Sequence, residues 1–270
     1  MIGVELRKLV RGRRTWVTIA VIDALPVLVA ILLASTGIGP RPGTGPAFLS
    51  AVLSDGTLYP LAALAIVVPL LLPVAVSLVA GEAIAGEAQA GTLRYVLIRP
   101  VGRTRLLVAK LVSVMAFVLL TIVVVAVTAY AVGLLLLGEA PTTGSASISG
   151  VTLSTPEIVA RTLLALGYAL LSMLGVAAIA LFLSTVVDNP LGAALGTLAV
   201  LIASTLLLTL DAAQALHPWL PTRYWLSFVD LFRDPILWRN VLRGTGLQLL
   251  YVALFLAAGW ANFTTKDITR

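Results

Sequence analysis

Long apolar runs alternate with short polar interruptions along this chain, and that alternation predicts its architecture. The runs cover residues 16–34, 58–80, 106–137, 158–187, 191–210 and 245–263. A helix needs about 20 apolar residues to cross a bilayer core, so each run is a candidate span. The pattern predicts an all-α integral membrane protein, a single transmembrane domain over residues 1–270 with six membrane-crossing helices. The third run exceeds the minimum and is expected to tilt or to extend beyond the bilayer. The second holds Pro60, Pro69 and Pro73, and the latter two predict a kink because each removes a backbone hydrogen bond.

The interruptions differ in kind. Residues 35–57 carry Gly37, Gly39, Pro40, Pro42, Gly43, Gly45 and Pro46, which is loop chemistry. Residues 138–157 are rich in Ser, Thr and Gly and form a second loop on the same side. Between the fourth and fifth runs lie only Asp188, Asn189 and Pro190, a tight turn with Asn189 as a candidate helix cap and Pro190 suited to a first helical position. Residues 211–244 interleave Trp219, Trp225 and Trp238 with charges, a mixture suited to the outer membrane-water interface. There His217 reads as a solvated loop residue, and Arg161, near the outer end of the fourth run, is placed to snorkel outward.

Ahead of the first run, residues 1–14 hold Arg7, Lys8, Arg11, Arg13 and Arg14 among Leu6, Leu9 and Val10 at helical spacing. This is an interfacial helix on the inner leaflet or a flexible basic tail. A basic start before an apolar run resembles a signal peptide, but this run is longer than a usual signal core, contains Asp23 and Pro26, and is followed by five more. It is expected to be retained.

Composition narrows the class. With 60% hydrophobic and 11% charged residues and a mean hydropathy of +1.06, a soluble fold lacks polar surface. The absence of Cys and the single His disfavour disulfides, thiolate chemistry and a histidine metal site. The net charge of +6 comes from cations that flank the runs, which fits membrane orientation and anionic lipid better than nucleic acid. Of the 18 Lys and Arg, twelve fall on the side that carries both termini, so both termini are expected in the cytoplasm of a multi-pass protein of the cell membrane.

Two further features bear on function. Asp23 lies roughly 10 Å past the start of the first run at 1.5 Å per residue, so an ionised side chain there must face protein or water. A substrate-pathway role and a bond to a neighbouring helix both remain open for it. Gly192 and Gly196 form a small-xxx-small pair that serves either a dimer contact or internal packing.

Residues 81–110 are the longest polar interruption, with Glu82 and Glu87 followed by Arg94, Arg99, Arg103, Arg105 and Lys110. Helix-favouring residues run to Ala90, Gly91 and Thr92 supply a break and a cap, and Leu93, Val96 and Leu97 share one face of a short second helix that Arg99-Pro100 ends. Glu82 and Glu87 point about 140° apart on a helix, which disfavours a paired acid/base site.

The order Glu87, Gly91, Thr92, Leu93, Arg99, Pro100, Val101, Arg103 and Lys110 resembles the first cytoplasmic loop of ABC-2 transporter permeases, the membrane subunits of type-2 ABC exporters. The resemblance implies a coupling loop over residues 81–105, with Glu82, Glu87, Gly91, Thr92, Leu93, Arg94, Arg99 and Arg103 engaging a separate ATPase subunit. It also implies two ATPase copies that hold ATP and Mg, a second permease subunit of the same or similar sequence, a route lined by the first, second and fifth spans, and short re-entrant helices within 211–244. No GxxxxGK[ST] phosphate loop occurs, so this chain is expected to be a transport subunit with no ATPase site or cofactor of its own. Apolar spans with few charges suit amphipathic cargo such as a drug, an antibiotic or a lipid. The alternatives are an ion-gradient-driven transporter using Asp23, against which stands the lack of ionisable partners in the other spans, and a non-transport membrane scaffold.

Overall fold

The computed structural model of the chain describes residues 2–36, 56–91, 102–138, 145–146 and 152–265. In chain order the helices are α1 (Ile2–Arg11), α2 (Arg13–Thr36), α3 (Tyr59–Val67), α4 (Leu71–Gln89), α5 (Arg103–Leu137), α6 (Thr155–Val186), α7 (Pro190–Leu208) and α8 (Trp238–Thr265). Short 3-10 segments lie between them at Gly56–Leu58, Asp211–Ala213, His217–Trp219 and, the longest, Trp225–Phe232. A two-residue antiparallel pairing, Ser145 with Leu153 and Ala146 with Thr152, precedes α6.

Six of the helices, α2, α4, α5, α6, α7 and α8, are long and apolar enough to cross a membrane. Several begin before the apolar runs that predict them. α5 starts at Arg103 rather than 106, α6 at Thr155 rather than 158, and α8 at Trp238 rather than 245. The reason is that hydropathy marks where lipid begins, whereas backbone hydrogen bonding continues through polar residues such as Arg239 and Asn240.

The second crossing departs most from expectation. Instead of one kinked helix over 58–80 it is two helices, broken at Val68, Pro69 and Leu70. Pro69 lacks the N–H that would bond to Ala65, and its ring clashes with that carbonyl, so the helix stops. Pro73 falls in the first turn of α4, where its missing donor has no intrahelical partner to lose, and it bends nothing. The pair still traverses the bundle: Gly56 N–H donates to Gly138 O at the far end of α5, at 3.1 Å, while α4 ends beside the start of α5. The approach at that far end is close, since a Cβ on Gly133 would lie 2.2 Å from Gly56 O.

The centre of the bundle is α6. In its most apolar window 67% of residues are buried, against 22% for α2 and α8, so α6 packs among helices while the others line its outside. The core gathers Tyr59, Phe117, Met173, Phe228 and Phe232. Buried hydroxyls of Thr121, Ser172 and Thr197 donate to carbonyls four residues back, Phe117, Tyr168 and Ala193, so none is left unpaired in an apolar setting.

Helix side chains hold the irregular segment before α8. Arg161 Nη1 donates to the carbonyls of Leu231 at 3.1 Å and Arg233 at 2.9 Å, Tyr168 OH to Tyr224 O at 2.7 Å, and Gln248 Nε2 to Pro221 O at 2.8 Å. Arg161 thus points at protein carbonyls rather than snorkelling outward. His217 Nε2 lies 3.0 Å from Leu207 O, a link back to α7. Asn189 caps α7 as its position predicts, accepting from Leu191 N–H at 2.9 Å.

Trp16, Trp219, Trp238 and Trp260 are exposed. Trp238 and Trp260 are separated by about 33 Å along α8 and point within about 40° of each other. That distance matches a hydrocarbon core of about 30 Å with an aromatic residue at each interface. Both described ends of the chain lie at the Trp260 end: Glu5 of α1 meets Lys110 of α5, and Arg103 of α5 donates to the carbonyls of Phe263 and Thr264.

Candidate functional site

At that end, α1, α5, α6 and the start of α7 converge around the last three turns of α4. Lys110, about two turns into α5 and only 5% exposed, is the centre. Its Nζ contacts Glu5 Oε1 at 3.2 Å and also pairs with Glu87 Oε1. Two carboxylates from separate helices therefore share one ammonium, in a setting where the pairing is worth more than on an open surface.

One turn earlier, α4 is held by a hydroxyl. Ser184 of α6 donates to Gly81 O at 2.7 Å and accepts from Ala85 N–H at 2.9 Å and Ile84 N–H at 3.1 Å. The hydroxyl thus takes a place in the helix's own hydrogen-bond ladder and ties α4 to α6. Gly81 has no Cβ to spare, since one would lie 3.1 Å from Ala194 N and Pro190 O at the start of α7. The helix ends with Ala90 N–H donating to Gly86 O and Gly91 N–H to Ala88 O, and Gly91 adopts φ +67, the left-handed geometry in which a glycine terminates a helix without strain.

The predicted site residues fall out as follows. Glu87, Gly91, Arg103 and Lys110 gather at this end, Arg103 by bonding the last carbonyls of α8 at 2.8–2.9 Å. Glu82 is exposed and lines, with Leu78, Gln89, Asn189, Pro190 and Leu191, a cleft of about 350 Å³ between α4 and α7. Thr92, Leu93, Arg94 and Arg99, with the short helix predicted there, lie outside the described residues, as do Pro100 and Val101. Asp23 belongs elsewhere. Its Oδ1 accepts from Thr128 Oγ1 at 2.6 Å, about 27 Å along α5 from Lys110. Near it, Tyr59 OH donates to Pro26 O. Gly192 and Gly196 face the end of α6, where an added Cβ would meet Val187 Cγ1 at 3.0 Å and Leu183 Cδ1 at 3.2 Å.

Two participants escape the sequence reading. Glu5 is the one acid of α1, and on a helical wheel it lies on the far side from Arg7 and Arg11, a signal that was available. Ser184 sits in an apolar run with nothing to mark it. Among the described residues no three His, Cys, Asp or Glu cluster as a metal site.

A second surface runs along α4. Leu70, Val74, Leu78 and Glu82 are exposed at four-residue intervals, turning from apolar to charged between Leu78 and Glu82. Leu70, 60% exposed, lies at the break between α3 and α4. Irregular backbone is costly against lipid and is tolerated where protein or a watery cavity covers it.

These features define a multi-pass membrane protein whose second crossing is interrupted and whose polar end is cross-tied by charge. Residues 27–269 match the family described as "Protein of unknown function (DUF2705)", and the chain belongs to that family. A comparison with curated proteins finds no match.

Proposed function

We propose that the chain is the permease subunit of an ATP-driven exporter of the ABC-2 type, working with two copies of a separate ATPase subunit and a second permease subunit in the cell membrane. The observation that carries the reading is the end of α4. It runs about three turns beyond Leu78, the last apolar residue of its exposed stripe, and stops at Gly91 with Glu87 tied to Lys110 of α5. An extension cross-linked in this way is stiff, so a push delivered at Gly91 travels along α4 toward the break at residues 68–70. Of the sequence order that resembles the ABC-2 coupling loop, Glu87 and Gly91 fall at the end of this extension and Arg103 and Lys110 at the start of α5.

In this reading ATP and Mg stay on the partner, the termini are cytoplasmic, and residues 81–105 receive the force of ATPase closure. The exposed stripe of α4, with its broken backbone, faces the second permease subunit and the route between them. Cargo is amphipathic, in keeping with a stripe that is apolar through the membrane.

The test is co-expression with a candidate ATPase, followed by pull-down and ATPase assays in proteoliposomes. Gly91→Pro and Arg99→Glu are expected to weaken both association and stimulation. Unchanged association in both variants, or gradient-driven flux by the purified chain alone, overturns the proposal.

A further inference from the structure

The elbow between α1 and α2 carries five exposed cations, Arg7, Lys8, Arg11, Arg13 and Arg14. Among the described residues none of them makes an ion pair. The one acid of the segment, Glu5, is turned inward to Lys110. Glu5 and Leu9 face the bundle, where Leu9 packs against the core; the exposed surface of α1 carries Arg7, Lys8 and Arg11 together with the apolar Ile2, Val4 and Val10, with Val4 lying among the cations.

The depth of this surface is set by tryptophan. Trp16 is exposed just past the elbow and its Nε1 donates to Val10 O at 2.7 Å, binding the first turns of α2 to α1. Trp260, exposed at the same end of α8, donates to Thr104 Oγ1 at 2.8 Å. Exposed Trp residues mark the headgroup level, so the five cations beside Trp16 lie where lipid phosphates lie. Arg13 and Arg14 also sit at the start of α2, where the helix dipole disfavours cations and a nearby anion relieves the repulsion.

We propose that the α1–α2 elbow binds anionic phospholipid headgroups and that this binding sets the rigidity of the α4 end. The link is Lys110. Headgroups that hold α1 flat keep Glu5 on Lys110, and Lys110 holds Glu87. Without them α1 lifts, Glu5 leaves, and the end of α4 loses one of its ties. The inference does not require the chain to be a transporter.

The test uses the full chain in nanodiscs of phosphatidylcholine alone or with phosphatidylglycerol, read by native mass spectrometry for retained lipid and by hydrogen exchange over residues 82–90. Wild type is expected to retain phosphatidylglycerol preferentially and to exchange more slowly over residues 82–90 when it is present. Each cation removed lowers that retention about five-fold. Arg7→Gln/Arg11→Gln/Arg13→Gln/Arg14→Gln, which alters only exposed side chains, loses both effects, while Arg239→Gln/Arg243→Gln at the opposite end keeps them. Glu5→Gln retains the lipid yet loses its influence on exchange; should that variant be unstable, the quadruple variant carries the test alone. Preference that survives the quadruple variant, equal exchange in the two lipid mixtures, or protection by free inorganic phosphate in phosphatidylcholine discs overturns the proposal.

Discussion

The Ser184 hydroxyl donates to the Gly81 carbonyl at 2.7 Å while accepting from the Ala85 amide four residues further along α4. One side chain of the central helix thus occupies a rung of its neighbour's backbone ladder. Ser184→Ala removes three polar contacts at a buried position and is expected to lower stability by about 1–2 kcal/mol. Thermal unfolding in detergent checks it, and an unchanged midpoint would show that the ladder closes again without loss.

Lys110→Met leaves Glu5 and Glu87 facing each other without their shared cation. The expected loss is about 2–4 kcal/mol, below that of a fully buried pair because the Glu5 and Glu87 side chains both stay partly exposed, at 19% and 18%. Glu87→Gln in the Lys110→Met background should restore part of the loss by removing one of the two repelling charges. Additive effects of the two substitutions in a double-mutant cycle would contradict a coupled unit.

Two glycines of similar sequence context should respond in opposite ways to alanine. At Gly133 the new methyl would lie 2.2 Å from Gly56 O, and the backbones must part, at a cost of about 1–3 kcal/mol or more. At Gly167, an exposed position in α6 with nothing within 4 Å, alanine should stabilise by about 0.5–1 kcal/mol through helix propensity. Unfolding midpoints that move in the same direction for both would refute the packing described for α3 and α5.

Thr128→Val strips the Asp23 carboxylate of its hydroxyl donor within the bundle and is expected to destabilise by about 1–2 kcal/mol. Asp23→Asn keeps an oxygen that accepts the same bond and should unfold near the wild-type temperature. If Asp23→Asn instead abolishes transport while leaving stability intact, the carboxylate serves cargo or ions as well as packing.

Much of this arrangement was legible because local chemistry dictated it. Gly91 ends its helix where a run of helix formers meets a glycine, Asn189-Pro190 starts one where a cap meets a proline, and Asp23 finds a partner because a lone carboxylate at that depth must. What sequence spacing hides is the meeting of distant segments. Nothing along the chain pairs Glu5 with Lys110, 105 residues away, or singles out Ser184 from the apolar run around it. The break at Pro69 was half visible: proline count predicts a bend, but only position relative to a helix start separates a breaker such as Pro69 from a harmless first-turn residue such as Pro73.

Because α6 is the central post, the order of synthesis acquires a meaning. Of the three crossings made before it, the second leaves the ribosome with the Gly81 carbonyl and the Ile84 and Ala85 amides still lacking their Ser184 partner. The first and third crossings can already meet through Asp23 and Thr128, but the end of α4 stays untied until the fourth crossing threads in, and a chain cut short before residue 155 should be recognised by quality-control proteases as unfinished.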